Sequence, residues 1–387
     1  MNPVEANFHL NFIQALENAQ NQRRRRLGYR HIRDASNPFE MADRKFVKLF
    51  RLNKEAARDL IEEIKDFIEE PQRRDTVPLH LQVFICLNFL GHGGYQTTVG
   101  QELNLAVSQP VVSRILKNIC NILTIHLLPR HVRFPTTDEH VRRVKDRFTE
   151  KFNFPDVIGV VDGTHVPIVT PTIDDPNYPA VAYLNRKGYY SINVQATFDA
   201  DMILLNVNAR YPGATHDSAI WEVSTINRHL RRRYLEGQRN TWLLGDSGYP
   251  LQPWLMTPIT DAAPNSPEAH YTKCHVRARN VGERGNGTWK ERFRCLKKTE
   301  SYIINMQQQA ELFTPALCCT TYVDFIMYLI LKIAVTKMMK MTIMTTKEMQ
   351  VTYFIKFICD VNILEEGRLV RRRLVEILWN RAENRIG

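Results

Sequence analysis

Two short runs constrain this chain more than anything else in it. Val157-Ile158-Gly159-Val160-Val161 is apolar and rich in β-branched residues, and it stops at Asp162-Gly163; Thr241-Trp242-Leu243-Leu244 is again mostly apolar and passes through Gly245 to Asp246 and Ser247-Gly248. Apolar runs of this length, bounded by turn residues, are the pattern of buried strands. An Asp beside Gly predicts that each strand ends there in a turn, with a carboxylate at its tip. If the two strands are neighbours, both acids share one rim of the sheet and repel each other unless protons or cations intervene. Hard divalent ions such as Mg²⁺ or Mn²⁺ prefer carboxylate oxygen and keep positions open for water and phosphate, the chemistry of phosphodiester cleavage.

Such a centre wants a third carboxylate. Ala278-Arg279-Asn280-Val281-Gly282-Glu283-Arg284 leads into Trp289, Phe293 and Leu296 at near-helical spacing, so Glu283 would reach the rim from a helix, with Glu291 further along as a rival. Each acid alone is ordinary, because Asp before Gly is a common turn pair and most helical Glu residues are solvated. Another cluster, Pro212-Gly213-Ala214-Thr215-His216-Asp217-Ser218, lies between a strand and a helix. There Asp217 or Ser218 can cap the helix, and His216 can face the site or a phosphate.

The surrounding text fits an α/β layer. Tyr189 to Phe198 alternates, Met202 to Val207 repeats the strand signal, and Asp217 to Leu230 reads as a helix between strands, which together predict a mixed sheet flanked by helices. Asn185-Arg186-Lys187-Gly188 reads as an exposed turn. Ahead of this layer the chain is helical. Phe46 to Glu69 carries apolar residues at helical spacing, Leu81 to Leu90 forms an apolar helix, Thr97 to Leu103 a short one, and Ser108 is expected to cap a helix through Ile125. This is a helix-turn-helix layout, whose last helix would offer Ser108, Gln109, Ser113 and Arg114 to base edges or phosphates. An ordinary bundle of helices would leave the same pattern.

Charge is consistent with a polyanionic partner: 52 Lys and Arg against 41 Asp and Glu give a formal net charge of +11. The Arg23-Arg24-Arg25-Arg26 run reads as a nuclear import signal or a phosphate-gripping arm. The seven cysteines show no paired Cys/His spacing of a structural zinc site and are expected to be reduced thiols. The first residues lack the pattern of a secretory signal, and Tyr322 to Val335, broken by Asp324 and Lys332, is not expected to form a membrane helix.

Four ordered motifs resemble the PIF/Harbinger transposases and the nucleases domesticated from them. They are Gly159-Val160-Val161-Asp162-Gly163-Thr164-His165-Val166-Pro167-Ile168, then Pro212-Gly213-Ala214-Thr215-His216-Asp217-Ser218-Ala219-Ile220-Trp221, then Leu244-Gly245-Asp246-Ser247-Gly248-Tyr249-Pro250. The fourth is Arg279-Asn280-Val281-Gly282-Glu283-Arg284-Gly285-Asn286-Gly287, continuing through Trp289 to Leu296. The resemblance spans Phe46 to Leu296, and Ser108 to Arg114 looks like the family's helix-turn-helix segment. It implies a DDE-type, RNase H-like nuclease domain, a divalent metal cofactor, and catalytic and metal-holding roles for Asp162, Asp246 and Glu283, with Glu283 and not Glu291 as the glutamate. His165 and His216 match recurrent family positions. The family's usual Leu-His-Asn signature is missing after Leu296, where 297–364 turns rich in Met, Thr and Ile and reads as an insertion or a misread gene segment; Gly367 to Glu376 again looks like a family tail.

The expected organisation is a basic arm over 1–45, a helical DNA-binding region over 46–130, the RNase H-like nuclease domain over 150–300 and an atypical segment over 301–387. The expected activity is two-metal hydrolysis of DNA, with a catalytically inactive DNA-binding adaptor as the alternative and a metal-dependent phosphatase as a weaker one. Implied partners are DNA and a separate Myb-like DNA-binding protein, and the expected location is the nucleus, with the cytoplasm left open.

Overall fold

A computed structural model describes residues 3–68, 76–93, 107–168, 170, 179–297 and 346–384. The chain divides into two compact units, Met1–Ile125 with Arg292–Cys295, and His126–Glu291 with Leu296–Gly387.

The first unit is helical. Helix α1 (Pro3–Asp34) precedes α2 (Asp43–Phe50) and α3 (Lys54–Ile64), followed by α4 (Leu79–His92) and α5 (Gln109–Ile122). Phe46, Phe50 and Phe84 make a buried aromatic cluster, with Phe46 edge-on to Phe84 at 5.4 Å between centroids. Nearly every side chain of α4 is buried, and α5 buries Val112, Ile115, Leu116, Ile119 and Cys120. The backbone widens to a π-helical turn at Leu123–Leu127, so the regular helix ends short of Ile125. Ser108 stands at the N-cap position of α5 with extended backbone, but its side chain makes no capping bond, contrary to expectation. Instead Pro110 sits in the first turn, where its missing N–H costs nothing, and the Ser108 carbonyl accepts from Val111 and Val112. The short helix expected at Thr97 to Leu103 lies outside the described residues, as do Tyr322 to Val335 and most of 297–364. Cys86, Cys120, Cys274 and Cys295 are free thiols.

The second unit is a five-stranded mixed sheet with helices on both faces. Helix α6 (Asp138–Phe152) leads into β1 (Val157–Pro167), β2 (Ser191–Phe198) and β3 (Leu204–Pro212). Then come α7 (Asp217–Val223), α8 (Thr225–Leu235), β4 (Trp242–Leu244), β5 (Leu255–Met256), α9 (Pro267–Arg292) and α10 (Thr346–Glu383). Strand order is β3-β2-β1-β4-β5; β1 to β3 are antiparallel neighbours, while β4 runs parallel to both β1 and β5. That order and direction are RNase H-like.

Two apolar clusters hold the layers together. On one face, Val157, Val160, Ala196, Phe198, Leu244 and Met256 pack with Tyr271, Ala278 and Val281 of α9 and Leu374, Val375 and Leu378 of α10. On the other, Ile158, Val161, Leu243 and Leu255 pack with Trp221, Ile226, Leu230, Tyr249 and Trp254. The alternation along β1 therefore sends Val160 and Asp162 towards α9, and Val161 and Gly163 towards α7.

Asp162 does not end its strand as the sequence suggested. Gly163 remains extended and opposes Gln195 of β2, and β1 runs on to Pro167. What requires a glycine there is the opposite face: a Cβ on Gly163 would lie 2.3 Å from Oδ1 of Asp217.

Candidate active site

The parallel pairing of β1 with β4 ends at Val160 opposite Leu244. Asp162 and Asp246 each follow two residues later, so both lie just past the end of the β1–β4 pairing, Asp162 still within β1. Asp246 sits in a tight turn, its Oδ1 accepting from the Gly248 N–H at 2.8 Å.

Helix α9 supplies the third acid, and glycine lets it come close. A Cβ on Gly282 would stand 3.0 Å from both Asp162 Cβ and Val160 Cγ1, and one on Gly285 would stand 2.9 Å from the Phe198 ring. Two helical glycines cost about 1 kcal/mol each against alanine, and the return is backbone laid almost directly on the strands. On the same stretch of helix, Arg279, Glu283 and Asn286 surround Asp162. Asn286 Nδ2 donates to Asp162 Oδ2 at 2.8 Å; Arg279 Nη1 lies 3.5 Å from Asp162 Oδ1, and Arg279 Nη2 donates to Glu283 Oε1. One guanidinium thus bridges two of the acids. Glu291, the rival glutamate, pairs with Lys297.

Asp162 is buried at 9% exposure, and its carboxyl is raised from 3.8 to about 6. Burial is the main cause; the Asn286 hydrogen bond and Arg279 oppose it, while the charges of Asp246 and Glu283 add to it. The Asp162 carboxyl therefore feels the charges of both other acids. Tyr249, buried beside them, has its phenol held well above the ordinary range by burial, then by Asp217, and then by Asp162 and Asp246.

The accessory residues lie across the sheet. Asp217 takes a hydrogen bond from Asn193 Nδ2 at 2.7 Å and rests over Gly163, so it does not cap α7. His216 occupies the N-cap position without a capping bond, and its expected role as a site-facing residue has no hydrogen bond to carry it among the described residues. His165 Nδ1 lies 3.1 Å from Ser191 Oγ, and its carbonyl accepts from Lys290 Nζ at 2.7 Å. Burial depresses the His165 ring below its usual range and brings the Lys290 ammonium down to about 8, with Lys187 adding to the latter. Ser108, Gln109, Ser113 and Arg114 stand on the first turns of α5, exposed or half-buried.

The donor set suits a hard divalent ion: carboxylate oxygens already neutralised by a cationic group, and Asn286 Oδ1 beside Asp162, buried without a hydrogen-bond partner among the described residues. Among the described residues no three of His, Cys, Asp and Glu are yet close enough to hold one ion.

Comparison with known proteins meets this geometry. The model for the DDE superfamily endonuclease matches residues 161–319, a stretch that contains Asp162, Asp246 and Glu283. Over that stretch the chain is similar to the DDE-type endonucleases. "Putative nuclease HARBI1" of Homo sapiens is 32% identical over 58% of this chain and 61% of its own length, so the chain spans less than two thirds of that relative. "Protein ALP1-like" of Arabidopsis thaliana is 23% identical over 65% of this chain and 64% of its own. A solved structure, a Mos1 transposase paired-end complex with the left transposon end, aligns over 74% of this chain and 88% of that one at 16% identity and a TM-score of 0.20. That likeness carries no argument; the RNase H-like reading of the sheet rests on its own strand order.

Sequence reasoning missed Arg279 and Asn286 as site residues. The i, i+4 spacing of Arg279 and Glu283 was a usable signal for a charge pair on one helical face.

Proposed function

We propose that this chain is a DDE-type, metal-dependent DNA endonuclease, with Asp162, Asp246 and Glu283 holding Mg²⁺ or Mn²⁺. The observation behind this reading is that Asp162 and Asp246 both lie just past the end of the β1–β4 pairing and that a half-buried guanidinium ties Asp162 to the helix-borne Glu283. The bound ions would activate the attacking oxygen and stabilise the leaving one. The chain's own residues do the positioning. Gly282 and Gly285 set α9 against the sheet, the Asn286 amide fixes one oxygen of Asp162, and the β4 turn fixes Asp246 through the Gly248 N–H. The cationic surface draws in DNA, with Ser108, Gln109, Ser113 and Arg114 as contacts to bases or phosphates; the nucleus is the matching compartment, and a Myb-like protein a suitable partner.

The adaptor reading, DNA binding without cleavage, has one observation on its side: Arg279 already satisfies Asp162 and Glu283. One experiment separates the two. Purified chain should cut DNA in Mg²⁺ or Mn²⁺ and not in chelator, and Asp162→Asn should stop cutting while leaving salt-dependent DNA binding intact. Binding without any metal-dependent cutting would favour the adaptor.

A further inference from the structure

Arg279 is the least explained part of the site. Its side chain is only 15% exposed, it emerges from the helix that carries Glu283, and its two terminal nitrogens face different acids, Nη1 towards Asp162 and Nη2 towards Glu283. A guanidinium cannot shed its charge near neutral pH, so it can leave this position only by exchanging one anion for another. The position it holds lies between two carboxylates assigned above to the metal. Two cations cannot occupy that space at low cost, because each would meet the other's charge in a half-buried setting.

We propose that Arg279 is the resident counter-cation of the acidic centre and competes with divalent metal for Asp162 and Glu283, so that metal loading is coupled to the arrival of DNA. This rests on the metal-site reading given above. The coupling follows from the chemistry of the fork. The two non-bridging oxygens of a phosphodiester offer the guanidinium the same paired acceptors as a carboxylate, so DNA beside the site gives Arg279 an alternative partner and frees the two acids. By linkage, metal must then favour DNA binding by the same factor that DNA favours metal. The arrangement would keep the isolated protein poorly loaded and load it where its substrate is.

The test is a titration of the full chain with Mn²⁺, following free ion by electron paramagnetic resonance, for wild type, Arg279→Gln, Arg279→Lys and Asp162→Asn, each with and without duplex DNA. Removing an adjacent charge shifts such equilibria by about tenfold or more. Arg279→Gln should therefore bind Mn²⁺ at least about tenfold more tightly than wild type without DNA, with Arg279→Lys between them. DNA should tighten Mn²⁺ binding to wild type and do little for Arg279→Gln. If Arg279→Gln fails to fold without metal, the Lys variant carries the comparison, and refolding of the Gln variant on adding Mn²⁺ would support the counter-cation role. Equal or weaker Mn²⁺ binding by both Arg279 variants, with binding still lost in Asp162→Asn, would overturn the competition and leave the metal site standing. Mn²⁺ binding by Asp162→Asn equal to wild type would overturn the metal-site reading, and the competition with it.

Discussion

Replacing Asp162 by Asn should stabilise the metal-free protein, and the gain should depend on pH in a defined way. In the unfolded chain this carboxyl titrates near 3.8, and in the fold at about 6, chiefly because it is buried. Between those values the unfolded chain has released the proton while the folded one still holds it. Stability contributed by the protonated group is therefore complete below about 3.8 and is lost as pH rises through about 6. At about 1.4 kcal/mol per pH unit, the full loss is about 3 kcal/mol. Asparagine keeps the shape and can still accept from Asn286, but it gives up the contact with Arg279, so the net gain at pH 8 should be about 1–3 kcal/mol. The assay is urea unfolding of both proteins in chelator at intervals from pH 4 to pH 8, taking the difference between them at each pH so that other titrating groups cancel. That difference should be small at the acid end and grow through pH 6. A variant less stable than wild type at pH 8, or a difference that ignores pH, would refute the claim that burial of the Asp162 charge dominates.

Other consequences are open to measurement. The Gly282→Val variant would drive new atoms into Asp162 and Val160, so α9 should shift outward, with a loss of about 1–3 kcal/mol on chemical unfolding and weaker Mn²⁺ binding by titration. His275 is buried, donates from Nε2 to the Met256 carbonyl at 3.0 Å, and is depressed from 6.5 to about 4, mainly by burial. It should contribute stability that is complete above 6.5 and is lost as pH falls towards about 4, by up to about 3 kcal/mol, a dependence that unfolding of His275→Phe should lack. Because Asp162 must be ionised to hold metal, the Mn²⁺ affinity of the metal-free protein should rise with pH through about 6, and an affinity that is flat from pH 5 to 8 would contradict that requirement.

Two strands of the sheet were legible because the apolar runs that open β1 and form β4 are buried on both faces. Val157 to Val161 and Thr241 to Leu244 carry that pattern plainly, whereas their parallel pairing was not readable from it, since the sequence left open whether the two strands are neighbours. Strand β5 was not legible, since the two residues Leu255 and Met256 carry no period. Helix α9 was read only in its second half, because Gly282, Gly285 and Gly287 resemble a helix end when the strand they accommodate is unseen. For the same reason Asn286, between two glycines, reads as a turn residue, although in the fold its amide grips Asp162. Asp217 looked like a cap because capping is local and visible; its hydrogen bond to Asn193 is tertiary and leaves no trace in spacing. The strand end expected at Asp162 failed similarly, since Gly163 serves a contact across the sheet and not a turn.

The most direct test of the central claim is a crystal structure of the chain bound to DNA and Mn²⁺, with the ions located by their anomalous scattering. The account predicts Mn²⁺ peaks within about 2.2 Å of carboxylate oxygens from Asp162, Asp246 and Glu283, with Arg279 withdrawn from between them. Anomalous peaks elsewhere, with Arg279 still bridging Asp162 and Glu283 while DNA is bound, would contradict it.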